Sequence, residues 1–388
     1  MKELEFTGKG FEYFKIWIAN ILLTLVTLGI YYPWAKVRSK VYFSKNTKLD
    51  DKTYNYHATG KQLLLGYLIG IIIVIIYVVI QNFSQLYSYI LLGLFFLSFP
   101  WLMYRSFKFN MRMTSFNNVR FSFNGKLSYM YILYLLYPVI FYILIIAIVA
   151  AIIMIQNTVV AVVGSILLFA AFLYGTAFMA SKSSNYVYNE IKYGTSKFAI
   201  DLKIKEFLKI YTKVFFLYIF TMFLIVLVYF GIAYLINSES FLQILSTKDA
   251  FSGDNEKLTS IISLILPHLI SLYVLMILSF TFIFAYSFVK VRSYIFENLT
   301  LDEEISFNST LKTRKLTMIL FTNLLMLIFT IGLAHPWTKV RLVKYIVENT
   351  SISSNIDLDK FLNDQNTNES AIGEEIGDAL DIDAGIAI

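Results

Sequence analysis

The chain offers few residues with which to do chemistry. It has three histidines and no cysteine, and no Asp or Glu lies within any of its long apolar runs. Disulfides, thiolate metal sites and cysteine nucleophiles are excluded. No HExxH, glycine-rich phosphate loop, serine elbow or His/acid cluster is present, so neither a catalytic set, a metal site nor a bound cofactor is expected. His57 stands beside Tyr56 in a basic loop, and His335 precedes Pro336-Trp337, as an interfacial residue would. His268 follows Pro267 inside an apolar run. An imidazole at membrane depth can carry a proton, and the proline frees a backbone carbonyl beside it. Its plainer role is to hydrogen-bond a neighbouring serine or that carbonyl. Asn20 and Asn323 are the other intramembrane polar candidates. Amide bonding between helices, about 0.6–2 kcal/mol in bilayers, is their ordinary use, and a place in a polar site is the functional alternative. Proton- and sodium-coupled carriers often use a mid-membrane carboxylate, which this chain lacks.

These residues must be held by membrane helices. Of 388 residues 57% are hydrophobic and only 15% charged, against roughly 45–50% and about 25% in an average soluble domain. Runs free of Asp, Glu, Lys and Arg cover 16–35, 62–104, 127–181, 214–238, 258–289 and 316–338. A spanning helix needs about 20 apolar residues. The two longest runs hold two helices each, divided at Gln81-Asn82 and Gln156-Asn157. This reading gives eight apolar helices, near 14–33, 62–80, 86–104, 130–155, 158–180, 214–236, 260–286 and 316–334. No ten-residue alternation of the transmembrane-barrel kind occurs. The expectation is an all-α, polytopic integral membrane protein with six to eight membrane helices. Pro33-Trp34-Ala35-Lys36 is no cleavage site, so the first helix is expected to be retained.

The two ends repeat each other. Asn20, Leu22, Thr27, Gly29, Pro33, Trp34, Lys36, Val37, Arg38, Tyr42, Asn46 and Thr47 meet Asn323, Leu325, Thr330, Gly332, Pro336, Trp337, Lys339, Val340, Arg341, Tyr345, Asn349 and Thr350 without a gap. Weaker copies lie between, at Pro100-Trp101, Arg105 and Thr114, at Lys290, Tyr294 and Asn298, and at Asn189 in a segment without the arginine. The five copies fall near 33–56, 100–123, 181–200, 290–307 and 336–350. Short strand-like pieces follow the first four: Tyr54-Asn55-Tyr56, Phe121-Ser122-Phe123, Phe198-Ala199-Ile200 and Ile305-Ser306-Phe307. Leu4-Glu5-Phe6 has the same character. The unit reads as helix, basic exit, Asn-Thr turn, short strand, helix. Trp34, Lys36, Arg38, Trp101, Arg105, Trp337, Lys339 and Arg341 have the types and places of interfacial anchors, indole at headgroup level and cations toward phosphates. The turns at Asn46, Thr47, Thr114, Asn189, Asn298, Asn349 and Thr350 either bond nearby backbone or line a common cytoplasmic vestibule, as repeats do in many transporters.

Charge orients the chain. If all eight helices cross, 24 of the 33 Lys and Arg share one side. If the first and last are re-entrant, breaking at Thr27-Leu28-Gly29 and Thr330-Ile331-Gly332, six helices cross. All basic residues except Lys248 and Lys257 then share a face with both termini and every repeat copy. The positive-inside rule makes that face cytoplasmic. The basic surplus sits at helix ends, where anionic headgroups are the partner to expect and nucleic acid is not. The chain divides into a membrane domain, 1–345, and an acidic cytoplasmic tail, 346–388, whose residues 362–370 read as a linker and 371–383 as a short amphipathic helix.

The stretch NILLTLVTLGIYYPWAKVRSKVYFSKNT and the tail IGEEIGDALDIDAGI resemble the YjgN family of bacterial inner-membrane proteins, over essentially the whole chain. The resemblance implies a polytopic, multi-pass protein of the bacterial inner membrane and brings no established reaction, substrate or cofactor. Passage or binding of a small solute, ion or lipid is the leading functional expectation. A non-transporting scaffold or lipid-organising protein is the alternative, and an enzyme is not expected.

Overall fold

In the computed structural model the short pieces between apolar helices pair with one another. They form a closed, wholly antiparallel ten-stranded barrel, so the fold is not all-α. The structure describes residues 2–236, 255–354, 357, 359–365 and 367, without the side chains of 230, 232–236 and 255–270.

One element order, strand–helix–helix–strand, recurs five times. The first unit is β1 (Lys2–Phe6), α1 (Gly10–Val26), α2 (Tyr32–Lys45) and β2 (Thr47–Leu49). The second is β3 (Lys52–Tyr56), α3 (Gly60–Phe83), α4 (Gln85–Met113) and β4 (Thr114–Phe116). The third is β5 (Val119–Phe123), α5 (Leu127–Ile155, with a π-helical turn at Ile132–Leu136), α6 (Thr158–Asn189) and β6 (Ile191–Tyr193). The fourth is β7 (Ser196–Ala199), α7 (Ile204–Ile236), α8 (Asn255–Glu297) and β8 (Thr300–Leu301). The fifth is β9 (Ile305–Ser309), α9 (Thr313–Phe329), α10 (His335–Glu348) and β10 (Thr350–Ser354).

Strands of two to five residues gain nothing in isolation, because a lone hairpin is at best marginal in water. Closure supplies what they lack. The two strands of each unit pair with each other, successive units join through tight turns, and β10 closes on β1. No edge remains. The cross-strand pairs Leu4–Leu49, Tyr54–Phe116, Phe121–Tyr193, Phe198–Leu301 and Phe307–Ile352 hold equivalent places in the five units. Their side chains meet in one apolar cluster. The barrel is thus filled by an inward pair from every unit, with the period-two alternation that a strand imposes. Asp50, Asn117, Asn118, Gly194, Asp302 and Glu303 take positive φ at the turns between units, where Asn, Asp and Gly are the least strained choices.

Among the described residues six helices, α3 to α8, are long and apolar enough to cross a membrane. The helices expected over 14–33 and 316–334 do not run through. α1 and α9 have 17 residues each and α2 and α10 have 14. At 1.5 Å per residue these rise only about 25 and 21 Å, short of a hydrocarbon core of roughly 30 Å. Both breaks use the same device. Leu28 and Gly29 turn left-handed at φ 49° and 92°, Ile331 and Gly332 at 51° and 85°. The Gly29 N–H donates to the Thr24 carbonyl (2.7 Å), and the Gly332 N–H to that of Leu327 (2.8 Å). The Thr27 hydroxyl donates to Leu23 O and accepts from Tyr31 N, as Thr330 does with Met326 O and Ala334 N. The carbonyls at each helix end are thereby satisfied.

The chain divides into two compact units. The larger, Met1–Leu208, Arg292–Leu311 and Met326–Ile388, carries all ten strands, and the smaller is Lys209–Val291 with Lys312–Leu325. Residues 346–354 complete α10 and supply β10. Residues 362–365, read from sequence as linker, are helical. Leu362 enters the barrel cluster, and the Gln365 side chain accepts from Thr195 N and donates to Ser196 Oγ, both at 3.0 Å. The amphipathic helix expected over 371–383 lies outside the described residues.

Candidate functional site

The repeated polar turns serve the backbone. The amides of Asn46, Asn298 and Asn349 each donate to the carbonyl four residues back, at Tyr42, Tyr294 and Tyr345, all at 2.8 Å. The hydroxyls of Thr47, Thr114 and Thr350 do the same to Phe43, Asn110 and Ile346. Asn189 departs from the pattern and bonds both the N–H and the C=O of Ile200. These residues end a helix and start a strand, using side chains that compete well with backbone.

The tryptophans divide. A Cβ on Gly60 would lie 2.3 Å from the Trp34 ring, and one on Gly10 equally near Trp337. Each indole therefore packs on the bare start of the next unit's first helix, the fifth unit on the first. Trp337 also meets Phe14 at 5.0 Å between ring centres. Trp101 is 45% exposed, with the Arg105 guanidinium 5.8 Å above its ring. Arg38 donates to the Tyr31 hydroxyl (3.1 Å), and Arg341 is exposed.

Within the larger unit, α1, α2, α4 and α10 line an open cavity of about 1180 Å³. Three lysines line it, Lys36, Lys40 and Lys339, and none of its described lining residues is Asp or Glu. Lys40 Nζ donates to Asn110 Oδ1 (2.5 Å) and to the Tyr56 hydroxyl (3.3 Å), and lies 4.6 Å from the centre of the Tyr56 ring. Burial, and then the Lys36 charge, hold Lys40 below the ordinary ammonium range. Lys339 Nζ reaches the Tyr13 hydroxyl (3.4 Å) and sits 5.0 Å from the Phe43 ring centre. All these partners are neutral, so the cationic charge is solvated by dipoles and rings and is not compensated.

Asn20 faces the same cavity at 5% exposure. Its amide donates to Ala35 O (3.2 Å), and its Oδ1 has no partner among the described residues. His335 stacks on Trp17 at 5.8 Å. Burial, then Lys339, draw it below its usual 6.5, and its Nδ1 is unpartnered among the described residues. Among the described residues no three His, Cys, Asp or Glu could hold a metal.

The structure therefore brings Asn20, Lys36, Lys339 and Thr114 to one cavity. Asn323 is buried on α9 in the smaller unit. The backbone of His268 lies on α8, and its side chain is outside the described residues. Sequence reasoning passed over Lys40, Asn110, Tyr56 and Trp17. A signal existed for Lys40: it follows Lys36 by four residues on one helix face, an unfavourable like-charge pair unless something negative comes to it.

The profile of a bacterial family described as "Bacterial protein of unknown function (DUF898)" matches residues 1–379. The chain is 28% identical over 383 residues to the inner membrane protein YjgN of Salmonella typhimurium, covering 95% of this chain and 92% of that one. It is 25% identical over 371 residues to the protein of that name from Escherichia coli K12, covering 91% and 88%. No solved structure matches.

Proposed function

We propose, from the premise that this chain belongs to the DUF898 family and like its relatives is a protein of the bacterial inner membrane, that it binds a small solute, ion or lipid in the lysine-lined cavity as part of its passage or placement. The observation that carries this reading is a volume of about 1180 Å³ with three lysines and, among the described residues, no acid on its wall. We assign the protein no reaction. Six helices cross as three hairpins, and the first and last hairpins dip into the bilayer and return. Their tips support this, for Leu28 is 93% exposed and Ile331 94%, which suits lipid better than water. The barrel and both termini face the cytoplasm, as the restriction of all but Lys248 and Lys257 to that side favours. Arg38, Arg105 and Arg341 meet anionic headgroups there.

A non-transporting scaffold is the competing reading. The apolar side chains that pack together inside the barrel favour it. Native mass spectrometry of the full chain from bacterial membranes, beside a cavity-filling Ser39→Phe variant, decides between the two. Binding predicts a retained small molecule that is lost in the variant. A bare wild-type protein, with Ser39→Phe indistinguishable from it, would leave the scaffold.

A further inference from the structure

The cavity has a direction. Along α1, Trp17, Ile21 and Leu25 form a stripe of one residue per turn that ends beside the hairpin tip. Along α2, Tyr32 stands at that tip, Lys36 one turn in, Lys40 a second turn and Ser44 a third. The basal wall is polar, with Asn110, Thr114 and Tyr56 beside the barrel. The tip is apolar and exposed, carrying Val26, Leu28 and Ile30. An apolar approach thus leads, over about 12 Å of α1 from Leu25 to Trp17, to three ammonium groups and a buried amide.

We infer that the ligand is a phosphate-bearing amphiphile, an anionic glycerophospholipid whose phosphate sits among Lys36, Lys40 and Lys339 while its acyl chain lies along Trp17, Ile21 and Leu25. The inference rests on the reading that the cavity binds a ligand, and adds its chemistry. Phosphate is the fitting anion because ammonium groups bind it as point charges from several directions. It need not meet a fixed fork of donors. Asn20 contributes a carbonyl oxygen with no partner, suited to the hydroxyl of a glycerol-type headgroup. The apolar stripe distinguishes a lipid from a free phosphate ester, which would gain nothing from it.

The test uses the full chain in detergent, observed by native mass spectrometry with equimolar phosphatidylglycerol and phosphatidylcholine, and separately with glycerol 3-phosphate. Phosphatidylglycerol should be retained at least about tenfold better than the zwitterionic lipid, and its retention should fall with salt. Lys36→Gln is the first variant, since Lys36 is exposed and the substitution should leave the fold intact. It and Lys40→Gln should each lower retention about threefold to tenfold. Lys36→Arg should restore most of it, and Lys45→Gln, away from the cavity, should change nothing. Equal retention of both lipids with no effect of the lysines would overturn the inference while leaving a binding cavity. Retention of glycerol 3-phosphate with no preference for the lipid would overturn it in favour of a soluble phosphate ester. Absence of any adduct, with Ser39→Phe unchanged, would remove the underlying reading as well.

Discussion

The first and last hairpins and the three between them are built on one strand–helix–helix–strand plan, yet only the middle three have helices of spanning length. The difference lies in the tips. α3 and α4 turn at Ser84 alone, after 24 residues, and α5 and α6 turn at Gln156 and Asn157, with Asn157 Oδ1 accepting from Val159 N. α1–α2 and α9–α10 instead stop at Thr27 and Thr330, where a left-handed residue, a glycine and a threonine hydroxyl satisfy the helix end in the middle of an apolar run. A hydrophobic stretch long enough to span need not do so if its backbone bonds are closed partway. The shortened pair also houses the lysines: Lys36 and Lys40 come from α2 and Lys339 from α10. Among the described residues the three hairpins of spanning length contribute no cavity lysine.

The comparison can be broken outright by topology. The chain has no cysteine, so single cysteines report cleanly. Ser84→Cys and Asn157→Cys, at the tips of spanning hairpins, should react with a membrane-impermeant maleimide added from the periplasm, and Leu28→Cys and Ile331→Cys should not. Labelling of the latter two at the same rate would make all five hairpins alike. Next in size, Phe116→Ala removes one inward side chain of the barrel. A loss of about 3–5 kcal/mol is expected, read as a lower melting temperature in detergent, whereas Phe83→Ala at an exposed spanning tip should cost little.

A smaller effect separates the glycines. Gly29→Ala and Gly332→Ala force a Cβ into φ of 92° and 85° and should cost about 1–2 kcal/mol each. Gly70→Ala, on a spanning helix with nothing within 4 Å of the added carbon, should be neutral or gain up to about 1 kcal/mol. Equal costs would deny the special turns. The smallest effect concerns pH. His335 is held below 6.5 by burial and by Lys339, so below that value the unfolded chain binds more protons than the folded one. Stability should therefore fall as pH drops from 7 toward 5, and His335→Gln should flatten the slope. A melting temperature with identical pH dependence in both proteins would remove the effect.

Much of this was legible in the residues. Runs without charge located the six long helices, because a bilayer tolerates few charges and demands internally bonded backbone over a known thickness. The twelve positions shared by Asn20–Thr47 and Asn323–Thr350 offered the same break to both ends, at Thr27-Leu28-Gly29 and Thr330-Ile331-Gly332, beside the alternative that both helices cross. The barrel was not legible. Its strands are two to five residues long, too short for periodicity to tell strand from connector. Their stability comes from closing a ring: each unit's own two strands meet across an intervening pair of helices, as Leu4 meets Leu49 and Phe198 meets Leu301, and the last strand returns to the first, with Lys2 opposite Ile352. The cavity shares that cause. Lys36 and Lys40 announce a charged face of α2, but only the seating of α10 against α1 brings Lys339 beside them. Helix position along the membrane is thus a local property of hydrophobicity and charge. Which cations share a chamber is decided by tertiary packing, since proximity between residues 303 positions apart has no local cause.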